Sequence, residues 1–401
     1  MYDPLFTESL SNALHISVYV SAALLVLFIS KFASAARLLF TVLNLGTVYV
    51  VFFHDASAGG LYTFISMVVV LAVHWLLLRS FCIDSGEAIF KYWGALLLPI
   101  VILTVIKIQS ALVLVGVSYL AFRMVSSSFE LRESRQELPS FSDYMGYLVF
   151  PATFMAGPIN PLKYHMDTLV SPNFSKHNLM FGILRIVVGY IKFRFIATLV
   201  YQLSFASYWQ VGYEMTWMDF LLSGAAYYLY LYMNFSGYTD IVVGVAAILG
   251  IRVKENFDNP LASRNIKDFW RRWHLSLTDL VRDVVFTPLM MQLTRWFGGR
   301  FVNLTAIISI TALFLVLALW HGLEAGYFIF YGLHAMAFTV IHLSEEYWRS
   351  FSKSGYRLYM GSGIGLWCGR IATFSFLAVT CAFLELENWH EIKSVFDHLT
   401  G

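Results

Sequence analysis

The chain has 401 residues, of which 58% are hydrophobic, 17% aromatic and 13% charged, and its 27 Lys and Arg nearly balance 25 Asp and Glu. Soluble domains carry about 25% charged residues, and half that density cannot cover a water-facing surface of this size. With a mean hydropathy of +0.66, these figures exclude an ordinary soluble enzyme, a disordered chain and a nucleic-acid-binding domain. They point to an all-α polytopic integral membrane protein.

A spanning helix takes about 20 mostly apolar residues. In chain order the candidates are 15–30, 36–53, 60–80, 93–108, 110–126, 144–159, 178–205, 218–250, 301–320, 325–343 and 366–386. They form one membrane domain, 1–401. The opening MYDPLFTESLSNALH lacks a basic n-region, so it is not a cleavable signal peptide, and the first span is expected to do the targeting. No Lys or Arg precedes Lys31, which predicts an extracytoplasmic N-terminus.

Three stretches depart from a simple span. The 110–126 segment holds Gly116 and Ser118, and 144–159 holds Pro151, Gly157 and Pro158. Broken backbone at membrane depth is tolerated only inside protein or beside a water-filled cavity. Both read as re-entrant or cavity-lining elements, or as kinked helices. The 218–250 run is too long for one perpendicular span at about 1.5 Å per residue. Its middle, Asn234-Phe235-Ser236-Gly237-Tyr238-Thr239-Asp240, is polar. It predicts two helical pieces around a break, or one long tilted helix with that face turned inward.

Residues 252–300 carry nine Lys and Arg (Arg252, Lys254, Arg264, Lys267, Arg271, Arg272, Arg282, Arg295 and Arg300) against five Asp and Glu. This basic loop is the best cytoplasmic marker. The loop with Arg349, Lys353 and Arg357 should share its side, which sends the His321 turn toward the opposite one. Cys82, Cys368 and Cys381 make neither a disulfide framework nor a CxxC pair, and the last two read as packing residues.

Two of the eleven histidines stand out. His321 ends an apolar run from Ile307 to Trp320 and is followed by Gly322. A neutral imidazole there suits a general base, or equally a histidine anchored at the headgroup level. His274 closes Phe269-Trp270-Arg271-Arg272-Trp273-His274, where Trp270, Trp273 and Leu277 share one helical face. That spacing predicts an amphipathic interfacial helix, either a surface anchor or a holder for an anionic donor. The polar turn Glu255-Asn256-Phe257-Asp258-Asn259-Pro260 orders the loop or lines a passage. His74, His334 and His342 have no partner pattern and read as structural or interfacial. No zinc, P-loop, dinucleotide or nucleophile-elbow motif is present, and no metal site is expected.

Taken in order, Tyr232-Met233-Asn234-Phe235-Ser236-Gly237-Tyr238-Thr239-Asp240, the Glu255–Pro260 turn, Ser263 through Leu277, Arg282-Asp283 and Leu319-Trp320-His321-Gly322 carry a resemblance, with Met155-Ala156-Gly157-Pro158-Ile159 upstream. Over residues 110–340 the chain resembles the membrane-bound O-acyltransferases, specifically the bacterial branch that modifies cell-envelope polymers. Its wording is similar to both the alginate and peptidoglycan O-acetylation type and the teichoic-acid D-alanylation type. The resemblance implies about 11 tilted and re-entrant helices around a central tunnel, in a bacterial cytoplasmic (inner) membrane. It implies acyl transfer, with His321 as the catalytic histidine and His274 as the second one. Trp320, Trp270, Arg271, Arg272, Trp273, Ser276, Asn256, Asp258, Asn234, Tyr238 and Asp240 are then candidates for tunnel lining and donor binding. Asn234 stands where alginate-type relatives usually show Asp.

The leading expectation is acetyl transfer from acetyl-CoA, a substrate and not a bound cofactor, to a hydroxyl of an extracytoplasmic polysaccharide or partner protein. A second is D-alanyl transfer from a phosphopantetheine carrier protein to a teichoic-acid-type polymer. A third, of another class, is a transmembrane acyl conduit whose chemistry a partner performs.

Overall fold

The computed structural model describes residues 23–24, 35–53, 60–83, 89–108, 116–134, 137–204, 216–386 and 388–400. The expected N-terminus and almost all of the 15–30 span lie outside them. Among the described residues, six helices are long and apolar enough to cross a membrane: Gly60–Cys82, Ile89–Lys107, Trp217–Ile248, Val302–His321, Ala325–Phe351 and Gly363–Glu385. The chain divides into two compact units, Met1–Val188 with Thr239–Lys254, and Gly189–Tyr238 with Glu255–Gly401. One helix passes from the second unit into the first between Tyr238 and Thr239, so the division carries no Pro- or Gly-rich linker for a sequence to display.

The first unit contains α1 (Ala35–Phe52), α2 (Gly60–Ile83), α3 (Ile89–Ile108), α4 (Val117–Ser134), α5 (Phe141–Leu148), α6 (Pro151–Phe154), α7 (Leu162–Val170) and most of α8 (Lys176–Tyr190). The 144–159 stretch is broken backbone surrounded by protein. Residues 143–150 are buried throughout, and α5 ends before Pro151, whose ring disfavours helix at the preceding residue. Ending there orphans carbonyls. Arg123 of α4, itself buried, satisfies the last of them: its guanidinium donates to the Leu148 carbonyl at 2.7 Å, and it also donates to the Thr153 carbonyl of α6. Glu130, also on α4, accepts from the backbone N–H groups of Leu162 (2.7 Å) and Lys163 (2.9 Å) and so caps α7. His74 is held between Ser128 (3.1 Å) and Tyr144 (3.0 Å), a structural role.

After the Gly157-Pro158-Ile159 element, the Asn160 side chain donates to the Arg252 carbonyl (2.8 Å) and accepts from the Lys254 N–H (2.9 Å). The carboxamide thereby fastens this element to the start of the basic segment.

The 218–250 run is one continuous helix, labelled α10 (Trp217–Ile248) after α9 (Ala197–Tyr201). Its 32 residues extend about 48 Å. Ser236, Tyr238, Thr239 and Asp240 on it are buried, the inward-facing alternative of the two expected. The second unit continues with α11 (Ile266–Trp270), α12 (Leu275–Val281), a π-helical turn over Arg282–Phe286, α13 (Thr287–Trp296), α14 (Val302–His321), α15 (Ala325–Phe351), α16 (Lys353–Gly361), α17 (Gly363–Ala382) and α18 (Trp389–Thr400). Helices α14 and α15 are joined by the short Gly322–Glu324 turn. Close approach of α10 to α17 depends on Gly224, where a Cβ would run into the Ala378 carbonyl. Of the two cysteines on α17, Cys381 is packed as expected, but Cys368 is exposed.

Candidate active site

His321 is the last residue of α14 and is partly exposed. Its Nδ1 lies 2.9 Å from the Leu317 carbonyl one turn back. A carbonyl only accepts, so in the neutral ring Nδ1 carries the proton and Nε2 keeps the lone pair. The Tyr331 hydroxyl lies within reach of both ring nitrogens, 2.9 Å from Nδ1 and 3.2 Å from Nε2. The Trp320 ring meets the imidazole edge-on at 4.1 Å, and the Tyr327 ring lies 5.5 Å away. Gly322 lets the return turn close over the histidine: a Cβ there would strike the Glu324 carboxylate and the Tyr327 ring.

Around His274, the structure replaces the expected helix with two short ones. Asn265 caps α11 by accepting from the Asp268 N–H at 2.8 Å, and the helix stops at Trp270. Residues 272–275 then pair antiparallel with the polar turn. Asp258 N–H donates to the Arg272 carbonyl (3.0 Å), Phe257 bridges Trp273, and Leu275 N–H donates to the Asn256 carbonyl (2.9 Å). This long-range pairing outcompetes helical continuation, so Trp270, Trp273 and Leu277 do not form one interfacial stripe. His274 caps α12 with φ at +47°, left-handed backbone that is rare outside glycine but commoner for His and Asn. Asn256 secures the corner, with its Oδ1 accepting from the Ser276 hydroxyl at 2.6 Å.

The His274 ring is buried and meets Phe235 edge-on at 4.7 Å. It lies outside the six spanning helices. Burial holds its imidazole far below the ordinary range, at about 3, and the neighbouring His321 pushes the same way. The two histidines therefore share one electrostatic environment within the second unit, with His274 kept neutral.

The other expected site residues fall into distinct places. Trp270 donates its indole N–H to His334 Nδ1 at 3.0 Å. Trp273 packs among Phe257, Phe269 and Tyr232. Arg272 is engaged by Asp268 (3.0 Å) and by Asp258 (3.5 Å), while Arg271 is exposed. Asn234 is half-buried on α10, and Tyr238 is buried on the same helix. Asp240 belongs to the first unit, where it pairs with Arg185 at 2.5 Å.

Sequence reasoning missed Tyr327 and Tyr331, and it left His334 without a partner. A cue existed: positions 327, 331 and 334 repeat at i, i+4 and i+7 directly after the His321 turn, which places them on one face of α15. His334 is fully buried, accepting from Trp270 on Nδ1 and donating from Nε2 to the Thr380 hydroxyl at 3.3 Å. Among the described residues no cluster of His, Cys, Asp and Glu could hold a metal ion.

Residues 62–383, most of the chain, match the profile of the membrane-bound O-acyltransferase (MBOAT) family, and the protein belongs to that family. It is similar to the teichoic acid D-alanyltransferase of Bacillus subtilis (strain 168), with 32% identity over 241 residues, 58% of this chain and 60% of that protein. A probable alginate O-acetylase of Pseudomonas fluorescens is 30% identical over 268 residues, 66% of this chain and 50% of that one. The peptidoglycan O-acetyltransferase of Helicobacter pylori (strain 26695) is 27% identical over 273 residues, 66% and 47% respectively. The chain thus spans roughly half to three fifths of the length of these curated relatives.

Proposed function

We propose that this protein is a membrane O-acyltransferase of the bacterial cytoplasmic membrane. It moves an acyl group from a cytoplasmic thioester to a hydroxyl of an extracytoplasmic polysaccharide or partner protein. The observation that carries the reading is His321: a partly exposed imidazole whose Nδ1–H is tied to the Leu317 carbonyl and whose Nε2 keeps its lone pair. The acceptor hydroxyl would give its proton to Nε2 as its oxygen attacks the thioester carbonyl. The C–S bond then breaks, and the thiolate leaves with the proton that His321 took up. His274, buried and neutral, would orient the thioester without adding a competing charge.

Acetyl from acetyl-CoA is the group we assign first, because the alginate O-acetylase and peptidoglycan O-acetyltransferase relatives each match 66% of the chain. D-alanyl from a phosphopantetheine carrier is the second reading, favoured by the 32% identity to a teichoic acid D-alanyltransferase.

The test is made in cells carrying wild type or His321→Ala at matched membrane levels. Base-labile esters are released from envelope polymers and the freed acid is identified by mass spectrometry. Loss of acetate in the variant supports the first reading, and loss of D-alanine supports the second. Unchanged esters would remove His321 from the chemistry and return the conduit reading.

A further inference from the structure

A cavity of about 280 Å³ lies between the basic segment and helices α14 and α15, wholly within the second unit. Its body is apolar, with Trp270, Phe314 and Leu317 among its walls. Its rim is cationic, formed by Lys267, Arg271 and Arg282. Two of these cations are already neutralised. Lys267 pairs with Glu345 at 2.9 Å, and Arg282 pairs with Asp279 at 2.8 Å and Asp283 at 2.9 Å. Arg271 is exposed and has no ion pair among the described residues.

The walls offer little to a polar ligand. The Trp270 N–H is committed to His334, and the Thr278 hydroxyl to the Trp273 carbonyl at 3.2 Å. An arm carrying amides would surrender its water here without replacement. A hydrocarbon chain would not. The ligand that matches both ends is an amphiphile with an apolar tail and an anionic head.

We propose that this cavity binds an anionic glycerophospholipid of the surrounding bilayer, with one acyl chain against Trp270, Phe314 and Leu317 and the phosphate on Arg271. Basic pockets between spanning helices near the membrane surface suit such headgroups. The position gives the lipid a consequence. Leu317 supplies the carbonyl that fixes His321, and Trp270 holds His334. A chain filling the cavity buttresses both. That consequence rests on the reading of His321 as the base, whereas the lipid site itself does not.

The test reads lipid, not acyl transfer. The full chain is purified, stripped of lipid and titrated with phosphatidylglycerol or phosphatidylcholine of identical chains, with bound lipid counted by native mass spectrometry. Wild type should retain phosphatidylglycerol in preference to phosphatidylcholine. Arg271→Gln, an exposed change that leaves packing alone, should weaken phosphatidylglycerol retention roughly fivefold. Arg295→Gln, exposed on α13 away from the cavity, should not. Equal retention of the two lipids by wild type, or an unchanged Arg271→Gln, overturns the proposal. A further arm adds coenzyme A or phosphopantetheine. Lipid that stays bound supports the site, and lipid displaced by either compound hands Arg271 to the acyl donor and overturns it.

Discussion

The Leu317 carbonyl and the Nδ1 of His321 are 2.9 Å apart, one helical turn from each other on α14. Because the acceptor is backbone, the helix itself sets the tautomer, whatever side chain occupies position 317. The catalytic assignment therefore depends on the helix continuing to its last residue, which hangs the imidazole one turn from the carbonyl that it donates to. Gly322 ends it in extended backbone and leaves room for the turn to fold back over the ring.

His321→Asn keeps a donor in reach of Leu317 and removes the base. Transfer should fall by about 10²–10⁴-fold, the usual worth of a positioned general base. Membrane level and thermal midpoint should stay near wild type. A variant that retains most of its transfer would show that the proton goes elsewhere.

Tyr331→Phe removes one oxygen from a buried ring and leaves its packing. If the hydroxyl contributes an ordinary hydrogen bond to the histidine, turnover should fall roughly fivefold. The measurement is turnover at saturating acceptor in purified protein. A loss confined to acceptor affinity would assign the hydroxyl to binding instead.

Much of this architecture was legible because spanning helices announce themselves locally. The apolar runs at 301–320 and 325–343 became α14 and α15, and the second extends further than read because its last turns are polar, through Ser344 to Arg349. What escaped was set by contacts between distant residues. The pairing of Phe257 with Trp273 breaks a helix that the spacing of Trp270, Trp273 and Leu277 would otherwise continue. The ion pair of Asp240 with Arg185, on another helix, was equally invisible in the sequence. The two histidines were visible from their neighbours. Tyr331 was not, because a tyrosine in an apolar helix looks the same whether or not it meets a histidine.

Trp270 and His334 form a buried donor–acceptor pair. His334→Leu leaves the indole N–H unsatisfied and should cost about 1–3 kcal/mol of stability. In a Trp270→Phe background the same substitution should cost less, since no donor is left stranded. A double-mutant cycle on denaturant unfolding in detergent measures the difference. Additive effects would mean that the hydrogen bond contributes nothing beyond packing.

His274 predicts a direction for acid sensitivity. Its folded imidazole titrates at about 3, against about 6.5 for an unperturbed histidine. Between those values the unfolded chain takes up a proton that the folded chain refuses. Stability from this group is therefore complete above about pH 6.5 and is lost as pH falls through the window. At pH 5 the loss amounts to about 2 kcal/mol. His274→Asn is the informative change, because Asn also tolerates left-handed backbone and does not titrate. The variant should lose less thermal stability than wild type between pH 7 and pH 5. Some slope remains, since burial also holds His165, in α7, at about 3. Identical pH slopes for wild type and His274→Asn would mean that the histidine is protonated in the folded protein. It could then no longer serve as a neutral partner to His321.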